Sequence, residues 1–174
     1  MGSNPIPSAR MKNVEVKDSK VRGKGVFALR SYHKGDLVLT IDDSHVVSDV
    51  SKLSKEDFEN HCDYFDDKVV LMQPPEVYIN HSCDPNVYVR TDSGVRNVYT
   101  MKDINEGEEI TYDYSVNGEN DGSFECHCGK KNCRGFYQGN FFKLPIDIQR
   151  KYLPYLDCWF VEKYKGKIER LRLR

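Results

Sequence analysis

No apolar run in this 174-residue sequence approaches the roughly 20 residues needed to span a bilayer, so a membrane helix is not expected. Residues 1–10 lack the basic-then-apolar order of a secretory signal, which points to an intracellular protein, nuclear in a eukaryote or cytoplasmic in a microbe. An excess of one charge is missing too. The formal net charge of -1 supplies no overall pull toward nucleic acid, so direct nucleic-acid binding is not expected. Internal repeats and low-complexity tracts are absent. The length does not suffice for two ordinary domains, and 39% hydrophobic with 30% charged residues is the balance of one soluble globular domain.

Charge is uneven along the chain. The stretch from Asp42 to Asp67 is rich in acids, with only Lys52 and Lys55 against them, whereas Lys163 to Arg174 is mostly basic. Both runs read first as solvated faces; the acidic one would also favour a basic peptide. Residues 1–10 form a loose leader. Short strands are expected at Val14–Val16, Gly25–Leu29, Leu37–Ile41, Val69–Met72, Val87–Arg90, Arg96–Met101 and Glu109–Tyr114, separated by Gly, Pro and Asn turns. Ser54 looks like the cap of a helix running to about Tyr64. After Gly139 the spacing of Leu144, Ile148, Tyr152, Leu156, Trp159 and Phe160 is helical, with Pro154 dividing two helices. Trp159 and its neighbours are expected to pack on the core, or to form a dimer face.

Of six cysteines, three lie within Cys126–Cys133. Without a secretory signal, clustered cysteines point to metal rather than disulfides. Thiolates hold zinc tetrahedrally at about 2.3 Å, and Gly129 and Asn132 allow the chain to turn between ligands. Three thiolates leave one vertex for Cys83, Cys62, Cys158, His127 or His81. His127 sits between two ligands and should point away; Cys62 follows a helical stretch and Cys158 lies on an apolar helix. Cys83, in a kinked polar segment, is the better choice, although spacing alone leaves the fourth ligand open.

The segment Tyr78-Ile79-Asn80-His81-Ser82-Cys83-Asp84-Pro85-Asn86 resembles the Asn-His-Ser-Cys-x-Pro-Asn motif of SET-domain lysine methyltransferases. Glu108-Glu109-Ile110-Thr111-Tyr112-Asp113-Tyr114 resembles their second motif, and Gly23-Lys24-Gly25 their N-terminal Gly-x-Gly. Cys126-x-Cys128-x4-Cys133-Arg134-Gly135 resembles the post-SET tail. The resemblance covers about Val14 to Gln138 and implies a mostly β, β-clip fold with a knot-like core, a zinc-bound tail and C-terminal helices beyond it. The implied division is 1–10 leader, 11–118 SET domain, 119–139 post-SET segment and 140–174 helical extension. It also implies S-adenosylmethionine as methyl donor and a protein lysine, on a histone or another basic protein, as acceptor.

By the same resemblance the zinc ligands are Cys83, Cys126, Cys128 and Cys133. Tyr114 is the catalytic tyrosine, and Tyr112 stands where the family chooses Tyr or Phe, favouring low methylation states. Asn80 and His81 contact the cofactor, Gly23, Lys24, Gly25 and Val26 offer it backbone groups, Tyr114 touches it and Phe136 stacks on its adenine. The match has gaps. The family's Tyr-x-Gly-Glu element is replaced by Thr40-Ile41-Asp42-Asp43, and Val77 stands where many members have Arg. The insert between Val47 and Val69 is short and no upstream cysteine cluster exists, both features of a minimal member. Two other readings are an inert zinc-stapled module that binds basic peptides, and a thiol enzyme pairing Cys83 with His81.

Overall fold

The computed structural model describes residues 12–65, 68–119 and 122–173, so the expected leader lies outside the described residues. Strands β1 (Val14–Asp18) and β2 (Lys24–Ala28) form a hairpin whose turn places Gly23 at φ +49°, a left-handed conformation suited to glycine. Strand β3 (Leu37–Thr40) follows, then a six-residue helix α1 (Lys55–Asn60) and the hairpin β4 (Cys62–Phe65) and β5 (Lys68–Leu71). Next come β6 (Asn80–His81), β7 (Val87–Asp92), β8 (Val95–Thr100) and β9 (Glu109–Tyr112). A last hairpin, β10 (Ser123–Glu125) with β11 (Phe136–Gln138), precedes helices α2 (Ile146–Tyr152), α3 (Cys158–Lys163) and α4 (Lys165–Arg172). The order of the main sheet is β1-β2-β9-β6 and of the second β3-β8-β7, giving the expected mostly β architecture with helices at the C-terminus.

Two apolar clusters hold these pieces. Val14, Val26, Val87, Val98, Ile104 and Ile110 belong to the first cluster; on β8 the alternation of a strand is plain, with Arg96, Val98 and Thr100 turned inward. Phe141, Leu144, Tyr152, Leu156, Phe160, Ile168 and Leu171 form the helical cluster, with Val116. Tyr112 packs against both clusters and is the joint between them. Among the described residues no helix is long and apolar enough to cross a membrane.

Three expectations change. The helix capped by Ser54 ends at Asn60 rather than Tyr64, and residues 62–65 become a strand. The helix buries no residue, whereas extension of the chain pairs Asp63 and Tyr64 with the β-branched Val70 and Val69. The C-terminal segment contains three helices rather than two, because Tyr164 (φ -112°) breaks the second. Pro154 does mark a break, sitting in a 3-10 turn. Trp159 and Cys158 are exposed, Trp159 at 41%, and the indole meets the ring of buried Phe160 edge-on.

The acidic stretch is largely engaged with its own neighbourhood. Asp49 caps a turn, Asp57 accepts from the hydroxyl of the capping Ser54, and Asp43 and Asp63 grip buried Arg96 on β8. That clasp fixes β4–β5 to the second sheet. It also leaves fewer free carboxylates to attract a basic peptide than the sequence suggests.

Candidate functional site

The two central motifs meet because β6 runs parallel to β9, with Asn80 opposite Thr111 and His81 opposite Tyr112. Asn86 makes the junction tight. Its side-chain amide donates to Glu109 O (2.9 Å) and accepts from Thr111 N (2.8 Å), imitating a strand neighbour for β9. Asn80 anchors the other side: its amide nitrogen donates to Lys24 O and Glu109 Oε1, each at 2.8 Å, and to Arg22 O at 3.3 Å. Gly25 leaves room there for the Glu109 carboxylate, which a β-carbon would displace.

Four sulfurs gather beside this junction. The Sγ atoms of Cys83, Cys126, Cys128 and Cys133 all lie within 4.8 Å of one another. The Cys83–Cys126 and Cys126–Cys133 separations are 3.6 and 3.7 Å, against the ~3.8 Å edge of a tetrahedron built on about 2.3 Å metal–sulfur bonds. Backbone N–H groups of Arg134 and Gly135 point at the Cys83 and Cys133 sulfurs, each at 3.4 Å, as donors to thiolates do. Burial pushes the Cys83 thiol up to about 11 and that of Cys126 higher still. Burial opposes ionisation of Cys128 as well, but hydrogen bonds outweigh it and lower that thiol to about 7; gathering further negative charge in the shell calls for a cation in its midst. The four residues can therefore hold one metal ion. His127 projects outward with 81% of its side chain exposed, and Cys62 and Cys158 stand outside the cluster.

Behind the cluster lies a polar knot that the sequence did not reveal. Asp113, fully buried between Tyr112 and Tyr114, accepts from Arg134 at 2.7 and 2.9 Å, from the Tyr152 hydroxyl at 2.9 Å and from Ser115 N at 3.0 Å. It thus ties the cysteine tail and helix α2 to the central motif. Burial disfavours the Arg134 charge, but the Asp113 contacts more than offset this and keep the guanidinium charged.

In front of the cluster is an opening of about 280 Å³, lined by Val21, Arg22, Asn80, His81, Tyr114, Phe124, Glu125 and Cys126 to Cys128. That is near the lower end of small-molecule sites, at roughly 300–1,000 Å³. Its aromatic wall joins the core to the tail hairpin: the His81 ring lies 5.3 Å from Tyr114, 5.4 Å from Tyr137 and 5.9 Å from Phe124, all edge-on. Burial pushes His81 down to about 4, so the ring is neutral, and Tyr114 N donates to its Nδ1 at 3.2 Å. The proton is then on Nε2, 3.6 Å from the Cys83 sulfur. A neutral ring with Nε2 already protonated cannot take the proton of Cys83, which removes the basis of the thiol-enzyme reading. Burial raises Tyr114 to about 12, and its hydroxyl donates to Ile79 O at 2.7 Å. Tyr112 is raised well above the usual phenol range by burial, and its hydroxyl donates to Val116 O at 2.7 Å.

Of the residues singled out from sequence, Asn80, His81, Tyr114, Cys126 and Cys128 line the opening, with Cys83 and Cys133 in the cluster behind. Gly23, Lys24, Gly25 and Val26 are not among the lining residues; Val21 and Arg22, just before the turn, are. Phe136 is 47% exposed on β11 and also outside the lining, where Phe124 supplies the aromatic edge instead. Phe124 could have been found from its place two residues before the first thiolate, since alternate residues of an extended chain share a face.

Comparison with known proteins gives the arrangement its relatives. Residues 23–115 match the model of the SET domain. The chain is 32% identical over 136 residues to "Histone-lysine N-methyltransferase trr" of Drosophila melanogaster, covering 70% of this chain and 6% of that protein. It is 46% identical over 63 residues to "Histone-lysine N-methyltransferase set-2" of Caenorhabditis elegans, covering 34% and 4%. Against "Histone-lysine N-methyltransferase, H3 lysine-4 specific" of Schizosaccharomyces pombe it is 29% identical over 142 residues, covering 74% and 15%. The chain thus spans only a small part of the length of these relatives. With more than half of its residues matched, from Gly23 to Ser115, the chain belongs to the SET-domain family.

Proposed function

We propose that this protein transfers a methyl group from S-adenosylmethionine to the side-chain amine of a protein lysine, with a histone as the first substrate to try. The observation that carries the reading is the convergence of Asn80, His81 and Tyr114 on one opening, walled on its far side by the cysteine tail. Zinc is the metal that four thiols at tetrahedral spacing, three of them buried, fit best. The domain division that goes with it is a SET unit over 11–118, a zinc tail over 119–139 and a helical extension over 140–174. In a eukaryote the setting would be the nucleus.

When bound, the cofactor supplies a sulfonium methyl that moves to the amine as the carbon–sulfur bond breaks. The lysine must first lose its proton, which at pH 7 costs about 4.6 kcal/mol for a pKa near 10.4. A dry channel beside a positive sulfonium lowers that cost, so no dedicated base is required. The protein's part is to align and to accept. Burial, which raises Tyr114 to about 12, keeps it a neutral phenol at neutral pH, its proton committed to Ile79 O. Its lone pairs, with that carbonyl, remain for the amine N–H and for polarised methyl hydrogens.

Tyr112 likewise gives its proton to Val116 O, and so can offer an amine or a water only lone pairs. Tyr112 is not among the residues that line the opening; the reading rests on its match to the position where the family chooses Tyr or Phe, at which a hydroxyl takes up room that a methylated nitrogen would need. Wild-type protein is therefore expected to stop mainly at monomethyl-lysine, and Tyr112→Phe to accumulate di- and trimethyl product. Mass spectrometry of a modified peptide reads this out, and mainly trimethylated product from wild type would contradict it.

The competing reading, an inert module that keeps the fold, is tested by calorimetry with S-adenosylmethionine. The proposal expects saturable binding at one site per chain. Absence of binding by zinc-loaded protein would favour the inert module.

A further inference from the structure

Tyr112, the joint between the two apolar clusters, is held by more than the Val116 carbonyl. Asn117 follows Val116 and adopts φ +62°, in a turn where Val116 N donates to Asp113 O at 2.9 Å and Gly118 N to Ser115 O at 3.2 Å. Asparagine tolerates that left-handed backbone, but glycine adopts it at less cost. The side chain is therefore what an asparagine adds at this position, and its two ends have separate partners.

One end is fixed by the C-terminal helices. Asn117 Oδ1 accepts from Asp157 N at 2.9 Å, and Asp157 is the residue just before α3. Asp157 is itself pinned. It is 1% exposed, its Oδ2 accepts from Thr91 Oγ1 on β7 at 2.7 Å, and Phe160, three residues on, is buried in the helical cluster. With Oδ1 facing the Asp157 N–H, the amide orientation is determined and Nδ2 is the end that remains.

That end serves Tyr112. Burial raises the phenol, and the charges of Asp113, Asp63 and Asp157 add to the rise; the hydrogen bond from the Asn117 side chain works in the opposite direction, as a donor to the phenol oxygen does. The Tyr112 oxygen thus gives its proton to Val116 O and receives one from Asn117. A chain of contacts runs from the start of α3, through Asn117, to the phenol. A hydroxyl gripped on both its proton and a lone pair cannot swing aside as easily as one held by a single bond.

We propose that Asn117, anchored by Asp157, is a positioning residue that holds the Tyr112 hydroxyl in place and so limits how many methyl groups the target lysine receives. The inference rests on the reading of Tyr112 given above. It gives the C-terminal helices a part in the choice of product, although they contribute nothing to the lining of the opening.

The test is mass spectrometry of histones incubated with S-adenosylmethionine and zinc-loaded protein, with variants compared at equal total methyl transfer. Asn117→Gly suits the backbone and removes the side chain. It should raise the share of di- and trimethyl-lysine severalfold, though less than Tyr112→Phe does. Combined with Tyr112→Phe it should add nothing, because no hydroxyl is left to hold. Asn117→Asp also tolerates the turn and keeps an oxygen for Asp157 N but lacks the amide donor, so it should shift the product in the same direction. Wild-type product ratios from both Asn117 variants, or a further shift in the double variant, overturn the assignment of Asn117 while leaving that of Tyr112 intact. Wild-type protein that makes mainly trimethyl-lysine, or no methyl-lysine, overturns both.

Discussion

Cys83→Ser is expected to cost the protein its zinc and its hold on the cofactor together. A serine hydroxyl stays protonated at neutral pH and is a harder donor than a thiolate, so three ligands would be left to grip the ion. Loss of an outer partner alone weakens metal sites by about 10–100-fold, and loss of a direct ligand should exceed that. The cofactor follows because the metal joins residues far apart in sequence, Cys83 to Cys126, Cys128 and Cys133. Released from Cys83, the tail carries Phe124, Glu125, Cys126 and Cys128 away from the opening that they wall. Zinc content and S-adenosylmethionine affinity, measured on the same preparation, should both fall, and Cys62→Ser should change neither. Full zinc content in Cys83→Ser would mean that the fourth ligand lies elsewhere, although His127 faces away and neither remaining cysteine is in the cluster.

Asp113→Ala should be the most destabilising single change in the tail's anchorage. It removes the acceptor for the Arg134 guanidinium, the Tyr152 hydroxyl and Ser115 N–H at once, and Tyr152 and Ser115 are themselves buried. Breaking a buried ion pair costs about 3–5 kcal/mol. For a chain of this size the corresponding drop in Tm is roughly 6–20 °C. Arg134→Leu should cost less, because Tyr152 and Ser115 still serve the carboxylate, and it should loosen the tail selectively. A melting temperature for Asp113→Ala within about 2 °C of wild type would contradict this role.

Much of the site was legible because its chemistry is carried by contiguous motifs. The run from Asn80 to Asn86 and that from Glu108 to Tyr114 announce themselves, and thiolate spacing over Cys126–Cys133 needs no tertiary knowledge. What escaped were partnerships between residues distant in sequence. Nothing local distinguishes Asp113 from any other strand acid until Arg134 and Tyr152 are seen to converge on it. Tyr137 belongs to a hairpin whose strands are three residues each, too short for periodicity to reveal, and Arg22 looked like one more charge beside a glycine turn. The helix end at Asn60 was missed for the same reason: the strand that follows exists only because Val69 and Val70 pair with it. The acidic insert misled in a different way. Its acids were counted as free charge, whereas Asp43 and Asp63 are consumed in holding Arg96.

The central claim is that Tyr114 and its surroundings direct a methyl group onto a lysine. The most direct measurement incubates zinc-loaded protein with methyl-labelled S-adenosylmethionine and a panel of histones, beside Tyr114→Phe, and locates the label by mass spectrometry. The account predicts label on lysine side chains with wild type. It predicts a rate at least about 100-fold lower for Tyr114→Phe, in the range by which positioned groups accelerate catalysis, with cofactor binding retained. Equal labelling by the variant, or label only on residues other than lysine, would contradict it.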